Sequence, residues 1–237
     1  MELPIGKVNI TRRNPKTLIL YGAPKIGKTT LLAELEDTLL IDLEQGSDYV
    51  SAMKVKVHNL DELRDLGKSI IAAKRPYKRV AVDTMTKLEE WAEDFATSEY
   101  MKSPIGKSFN KDASGNIIDN KSVLTLPNGA GYLHLRMAFK EWVEKFHKLS
   151  EEVILIGHLK DKMIEKGGKE VNAKDLDLTG KLKSIVCSNA DAIGYIFRQN
   201  GKMMITFESS DEVTCGSRCE HLKGKTMEFD WKKIYID

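Results

Sequence analysis

Short apolar runs alternate with stretches of helical periodicity through most of the chain. Thr17-Leu18-Ile19-Leu20-Tyr21, closed by Gly22, predicts a buried strand. Residues 28–37 predict a helix with Leu31, Leu32 and Leu35 on one face. A second strand is predicted over 38–43, a helix over 60–74, a third strand over 79–83 and a helix over 85–100. Helical spacing returns over 132–150, and a fourth strand follows over 152–157. The tail reads as hairpins, with strands at 192–198, 202–208, 226–229 and 233–236. Strands separated by helices imply an α/β fold with a mainly parallel sheet flanked by helices. The tail implies antiparallel hairpins at the C-terminal edge. A single domain over 1–237 is expected, with long mobile loops over 102–131 and 159–183. The first of these suggests a hairpin around Ser114-Gly115-Asn116.

The chemistry concentrates where the first strand meets the first helix. Gly22-Ala23-Pro24-Lys25-Ile26-Gly27-Lys28-Thr29, with Thr30 behind it, satisfies the P-loop pattern G-x-x-x-x-G-K-[ST]. Glycines allow the backbone N–H groups to close around a β-phosphate. Lys28 brings a point charge to the β- and γ-phosphates, and Thr29 a hydroxyl to Mg²⁺. ATP and Mg²⁺ are the expected ligands. Phosphoryl transfer also needs an acid beside the metal at a neighbouring strand tip. Asp83, after Val80-Ala81-Val82, is assigned to that role, with Thr84 beside it; Asp42, after Leu39-Leu40-Ile41, is the other candidate. A lone Asp in such a place often serves only as a helix cap. Glu44, two residues beyond Asp42, is the candidate general base for an attacking water.

These motifs occur in an order that resembles the RecA-like core: Gly22–Thr29, then Ile41-Asp42-Leu43-Glu44, then Val80-Ala81-Val82-Asp83, then Val153-Ile154-Leu155-Ile156-Gly157-His158. His158-Leu159-Lys160 is similar to the γ-phosphate sensor of hexameric phage replicative helicases. Asp177-Leu178-Thr179-Gly180-Lys181-Leu182 and Ser188-Asn189-Ala190-Asp191 resemble the helicase stretch that follows. Overall, residues 15–224 look most like compact phage AAA-family nucleotide-binding proteins, including the RecA-core class of Sak single-strand annealing proteins. The resemblance implies His158 as sensor and a homo-oligomer with inter-subunit ATP sites. A basic finger would come from the neighbour, with Arg218 in Cys215-Gly216-Ser217-Arg218 as first choice and Arg198 as second. It also implies ATP hydrolysis stimulated by single-stranded DNA, annealing or recombination, and cooperation with a single-strand binding protein. The setting would be the cytoplasm of a bacterial host if the chain is phage-encoded.

Composition adds limits. The net charge is only +2, so any nucleic-acid site must be a local patch or arise by repetition in an oligomer. The RecA-like resemblance places DNA at the two long loops. The first carries Lys102, Lys107, Lys111 and Lys121 with Phe109 as a stacking platform. The second carries Lys160, Lys162, Lys166, Lys169, Lys174, Lys181 and Lys183, interleaved with acids that suggest a solvated surface. No apolar run approaches membrane-spanning length, and Met1–Lys7 lacks a signal-type core. Three cysteines exclude a disulfide framework; Cys215, Cys219 and His221 raise a weak zinc possibility that lacks a fourth ligand. Two other readings share the P-loop: a nucleotide-gated loader or interaction module with little turnover, and a nucleotide kinase. The kinase needs an arginine-rich lid, whereas only Arg136 lies between 84 and 197.

Overall fold

Each apolar run is followed by a segment that returns the chain to the same end of the sheet, and this makes the core parallel. The computed structural model describes residues 3, 5–112, 114–119 and 121–236, with the side chains of Lys166 and Lys169 outside that description. In chain order the elements are β1 (Thr17–Gly22), α1 (Lys28–Ala33), β2 (Thr38–Asp42), β3 (Lys54–Lys56), α2 (Leu60–Ala72), β4 (Arg79–Asp83), α3 (Met85–Lys102), α4 (Gly131–Leu149), β5 (Glu152–Lys166), β6 (Lys169–Leu176), α5 (Gly180–Asn189), β7 (Ala192–Gln199), β8 (Lys202–Thr206), β9 (Gly216–Ser217), β10 (Thr226–Glu228) and α6 (Trp231–Ile234). Across the sheet the order is β10-β8-β7-β1-β5-β4-β2-β3. From β7 to β3 every neighbouring pair is parallel. β8 and β10 continue antiparallel beyond β7, as the tail pattern implies.

The two faces are covered unequally. On one, Ile19, Tyr21, Ile41, Val82 and Leu155 pack against α2, α3, α4 and α5. On the other, Leu18, Leu20, Leu40, Ile154 and Ile196 meet Leu32 of α1 and the C-terminal Leu222, Trp231 and Ile234. The strict alternation of neighbours between these clusters is the period-two signature of strands buried on both sides.

Several boundaries differ from the sequence expectation. The first helix stops at Ala33 rather than residue 37. The segment 233–236, expected as a strand, begins inside α6, because Asp230 caps Lys232 N and both Trp231 and Ile234 are buried. The largest change concerns 159–183. β5 does not end at residue 157 but runs on, turns at Gly167-Gly168, and pairs back along β6. Both glycines have positive φ, 59° and 76°. That conformation suits a two-residue hairpin turn and favours glycine. α5 then follows, where a loop was expected. The segment 102–131 stays irregular but is tied down: Val123 is fully buried, and its N–H donates to Thr97 Oγ1 at 2.9 Å. Phe109 is not a free platform. Tyr100 meets its ring edge-on, with centroids 5.2 Å apart, and Lys121 Nζ lies 4.7 Å over its centroid.

At the amino ends of the strands, Arg79 Nε pairs with Glu152 Oε2 at 2.7 Å, both side chains under a tenth exposed. Tyr235 stacks on the guanidinium at 4.2 Å. Removing one partner of a buried pair leaves an uncompensated charge. Glu152→Ala is therefore expected to cost about 3–5 kcal/mol of stability, read by urea unfolding. Lys54→Ala, on the half-buried edge strand, should cost far less.

Candidate functional site

The loop between β1 and α1 lies at the carboxyl ends of the parallel strands, where α/β sheets present their ligand crevices. Glycine is obligatory at its first position: a Cβ on Gly22 would lie 2.6 Å from Ile196 O of the adjacent β7. Gly27 caps α1 with φ 111°. Between them, Ala23, Pro24, Lys25 and Ile26 form the arch, with Lys25 at φ 59°. Lys28 is buried and folds back over the arch, donating from Nζ to Gly22 O at 2.9 Å and to Ala23 O at 3.0 Å. Its ammonium therefore occupies the mouth of the loop. Thr30 is exposed on the next position of the helix.

Four strand tips converge on this loop. Gly22 pairs with His158, Asp83 with Ile156 and Asp42 with Asp83. β5 separates β1 from β4, yet Thr29, at the start of α1, spans the gap, its Oγ1 donating to Asp83 Oδ2 at 2.7 Å. Beyond the tip of β2, Glu44 Oε1 accepts from Thr84 Oγ1 at 2.6 Å and lies 3.3 Å from His158 Nε2. The Asp83–Thr84 peptide is cis. Lys28, Thr29, Asp83, Glu44 and His158 thus gather in one cluster, with Thr84 as a direct link between the acid strand and the candidate base. Asp42 serves differently. It is buried and accepts from Glu44 N at 3.0 Å, Gly46 N at 3.3 Å and Ser47 N at 2.9 Å. It shapes the loop that presents Glu44.

Burial dominates the electrostatics. Desolvation lowers the Lys28 pKa, against the opposing pull of Asp83 and Glu44. Desolvation raises that of Asp83; Glu44 and Asp42 push it the same way, while the Thr29 hydrogen bond and Lys28 oppose. A deprotonated Asp83 is therefore a costly charge awaiting a cation. Among the described residues no group of three or more His, Cys, Asp and Glu side chains is disposed to hold a metal ion. A hydroxyl and a carboxylate already in contact nevertheless suit Mg²⁺, which takes its remaining ligands from phosphate and water.

Arg218 stands apart. β9 pairs with the first residues of β7, and Ala192 lies beside Leu18 at the opposite end of β1 from Gly22. Its guanidinium donates to Ser188 O and lies 3.8 Å from Asp191. Arg198 is nearer its own phosphate loop, two positions past Ile196, and is exposed. The zinc possibility is not supported: Cys215 Sγ donates to Glu208 O, and the His221 ring engages Ile234 O.

A carboxyl whose pKa is raised by folding costs stability once both states ionise; the cost grows as pH rises from about 4, the unfolded Asp value. Asp83→Asn removes that titration. Without nucleotide it should melt at or above the wild-type temperature at pH 7–8, with the gap closing toward pH 4. The same variant should lose the extra stabilisation that Mg²⁺ adds to ATP, both read by differential scanning fluorimetry.

Among curated proteins none matches the chain. Among solved structures the chain is similar to the RadB recombinase, with 13% identity, a TM-score of 0.44, and coverage of 93% of this chain and 90% of that one. Residues 14–219, which hold every element from β1 to the Arg218 turn, match the family model described as AAA domain, and the chain belongs to that family.

Proposed function

We propose that the protein hydrolyses ATP with Mg²⁺ and acts on single-stranded DNA, in annealing or recombination of the kind the RecA-like phage proteins perform. The observation that carries the hydrolytic reading is the set of three contacts that join the cluster: Thr29 to Asp83, Glu44 to Thr84, and Glu44 to His158. Lys28 exchanges its two carbonyl partners for phosphate oxygens. Thr29 and Asp83 would hold Mg²⁺, which would supply charge neutralisation to the phosphates. Glu44, oriented by the Thr84 hydroxyl, takes the proton of the attacking water. His158, on the strand between β1 and β4, faces the γ-phosphate. Arg218 lies far from its own loop, which supports its use by a neighbouring copy in a homo-oligomer.

The DNA reading gains from the hairpin. Successive residues of a strand point to opposite faces. The acids and lysines that look intermixed along the sequence are therefore sorted in space. Lys160, Lys162 and Ile164 share one face with their partners Asp175, Ala173 and Val171. Asp161, Met163 and Glu165 share the other with Lys174, Asn172 and Glu170. Asp175, the one acid on the first face, is occupied by Lys183. The first face presents exposed Lys160 and Lys162 beside half-buried Ile164 and Val171, with Ala173 buried, and the other face is acidic.

Two measurements test these readings. ATP turnover should rise with single-stranded DNA and vanish in Lys28→Ala; turnover indifferent to DNA rejects the DNA reading, and tight binding without turnover favours a nucleotide-gated module. Replacing Lys160 and Lys162 by Glu should weaken single-strand binding and flatten its salt dependence by about 0.7 log units per lysine. Glu165→Gln on the opposite face should leave affinity unchanged.

A further inference from the structure

We propose that Glu89 is a positioning residue that couples the β5–β6 hairpin to the helix beginning behind Asp83. The proposal rests on the nucleotide-site reading above and adds a residue outside its motifs. Glu89 sits on α3 and is only 7% exposed. A buried carboxylate needs several donors to offset its lost hydration. Among the described residues its hydrogen bonds come from one residue, Thr179, whose N–H lies 3.0 Å from Oε1 and 3.3 Å from Oε2 and whose hydroxyl also engages the carboxylate. Desolvation raises its pKa, Asp177 and Glu93 push the same way, and the Thr179 bond opposes them. An apolar side chain would pack there at lower cost. The carboxylate is explained by what it holds.

Thr179 precedes α5, and its own side chain makes no capping bond. Glu89, from another helix, accepts the N–H of this N-cap residue, with its carboxyl at the favourable end of the α5 dipole. Residues 177–179 form a strap from the hairpin to α5. Asp177 N donates to His158 O at 3.0 Å. Thr86 Oγ1 donates to Asp177 O at 3.3 Å, and Thr179 N donates to Glu89. Two of these three anchors come from α3, whose first residue is Met85. The third is the carbonyl of the sensor residue. At the far end, Lys183 of α5 grips Asp175 of β6, and Lys160 lies 3.3 Å from Asp177. A displacement of Asp83 on metal or nucleotide binding therefore reaches the hairpin base through α3, Glu89 and Thr179, and hairpin engagement returns by the same route.

The test is hydrogen exchange of peptides covering 170–182, with and without Mg²⁺ and a non-hydrolysable ATP analogue. Wild type and Glu89→Gln, which keeps an acceptor for Thr179, should both show a nucleotide-dependent change. Glu89→Leu should lose it by about fivefold or more, the lower range of measured couplings, with the analogue's affinity within twofold of wild type. Thr179→Pro deletes the donor instead, at a φ of −74° that proline accepts. It should match Glu89→Leu, and the double variant should be no worse than either alone. Should Glu89→Leu fold poorly, Thr179→Pro carries the same prediction. Retention of the wild-type response in these variants overturns the proposal, as does loss of the response in Glu89→Gln. Analogue binding to wild type without any change over 170–182 also overturns it, while the nucleotide-site reading survives. Failure of wild type to bind the analogue overturns both.

Discussion

The position of β5 between β1 and β4 is the constraint on which the rest depends. Neighbouring strands lie about 4.8 Å apart, so two intervals hold the phosphate loop and the Asp83 strand roughly 9.5 Å from one another. That gap is wide enough to receive a phosphate and its metal, and its floor is the strand that carries His158. Thr29, at the start of α1, crosses it to reach Asp83. Were β1 and β4 direct neighbours, the loop and Asp83 would meet without His158 between them.

The cluster is also electrostatically unfavourable in both directions. Lys28 is held by carbonyls with its charged form disfavoured by burial, and desolvation with two nearby carboxylates raises the pKa of Asp83. An anion–cation pair placed there would relieve each in turn. This is a common arrangement where strained pKa values cluster in a cleft.

The sequence made the phosphate loop and the order of the core strands legible because each is a contiguous local pattern. Glu44, Asp83 and His158 could be assigned as strand-tip residues for the same reason, and the structure brings them together. What stayed hidden depends on register or on distant partners. The hairpin was obscured because alternating Lys and Asp look like a solvated run until β5 and β6 are paired; Gly167-Gly168 between two alternating segments was the signal that could have exposed it. α6 was misread because Ile234-Tyr235-Ile236 alternates like a strand, whereas burial of Trp231 and Ile234 and the Asp230 cap decide for a helix turn. Glu89 carries no local signature. Its partner lies 90 residues away, and no periodicity reports such a bond.

β5 is one unbroken strand of 15 residues, Glu152–Lys166. From His158 to its far end it projects about 26 Å at the usual rise per residue. Its inner half is clamped between β1 and β4, and its outer half pairs with β6, which the 212–214 segment braces in turn at Lys174. A load applied near the glycine turn produces its largest bending moment where the inner clamp begins, beside His158.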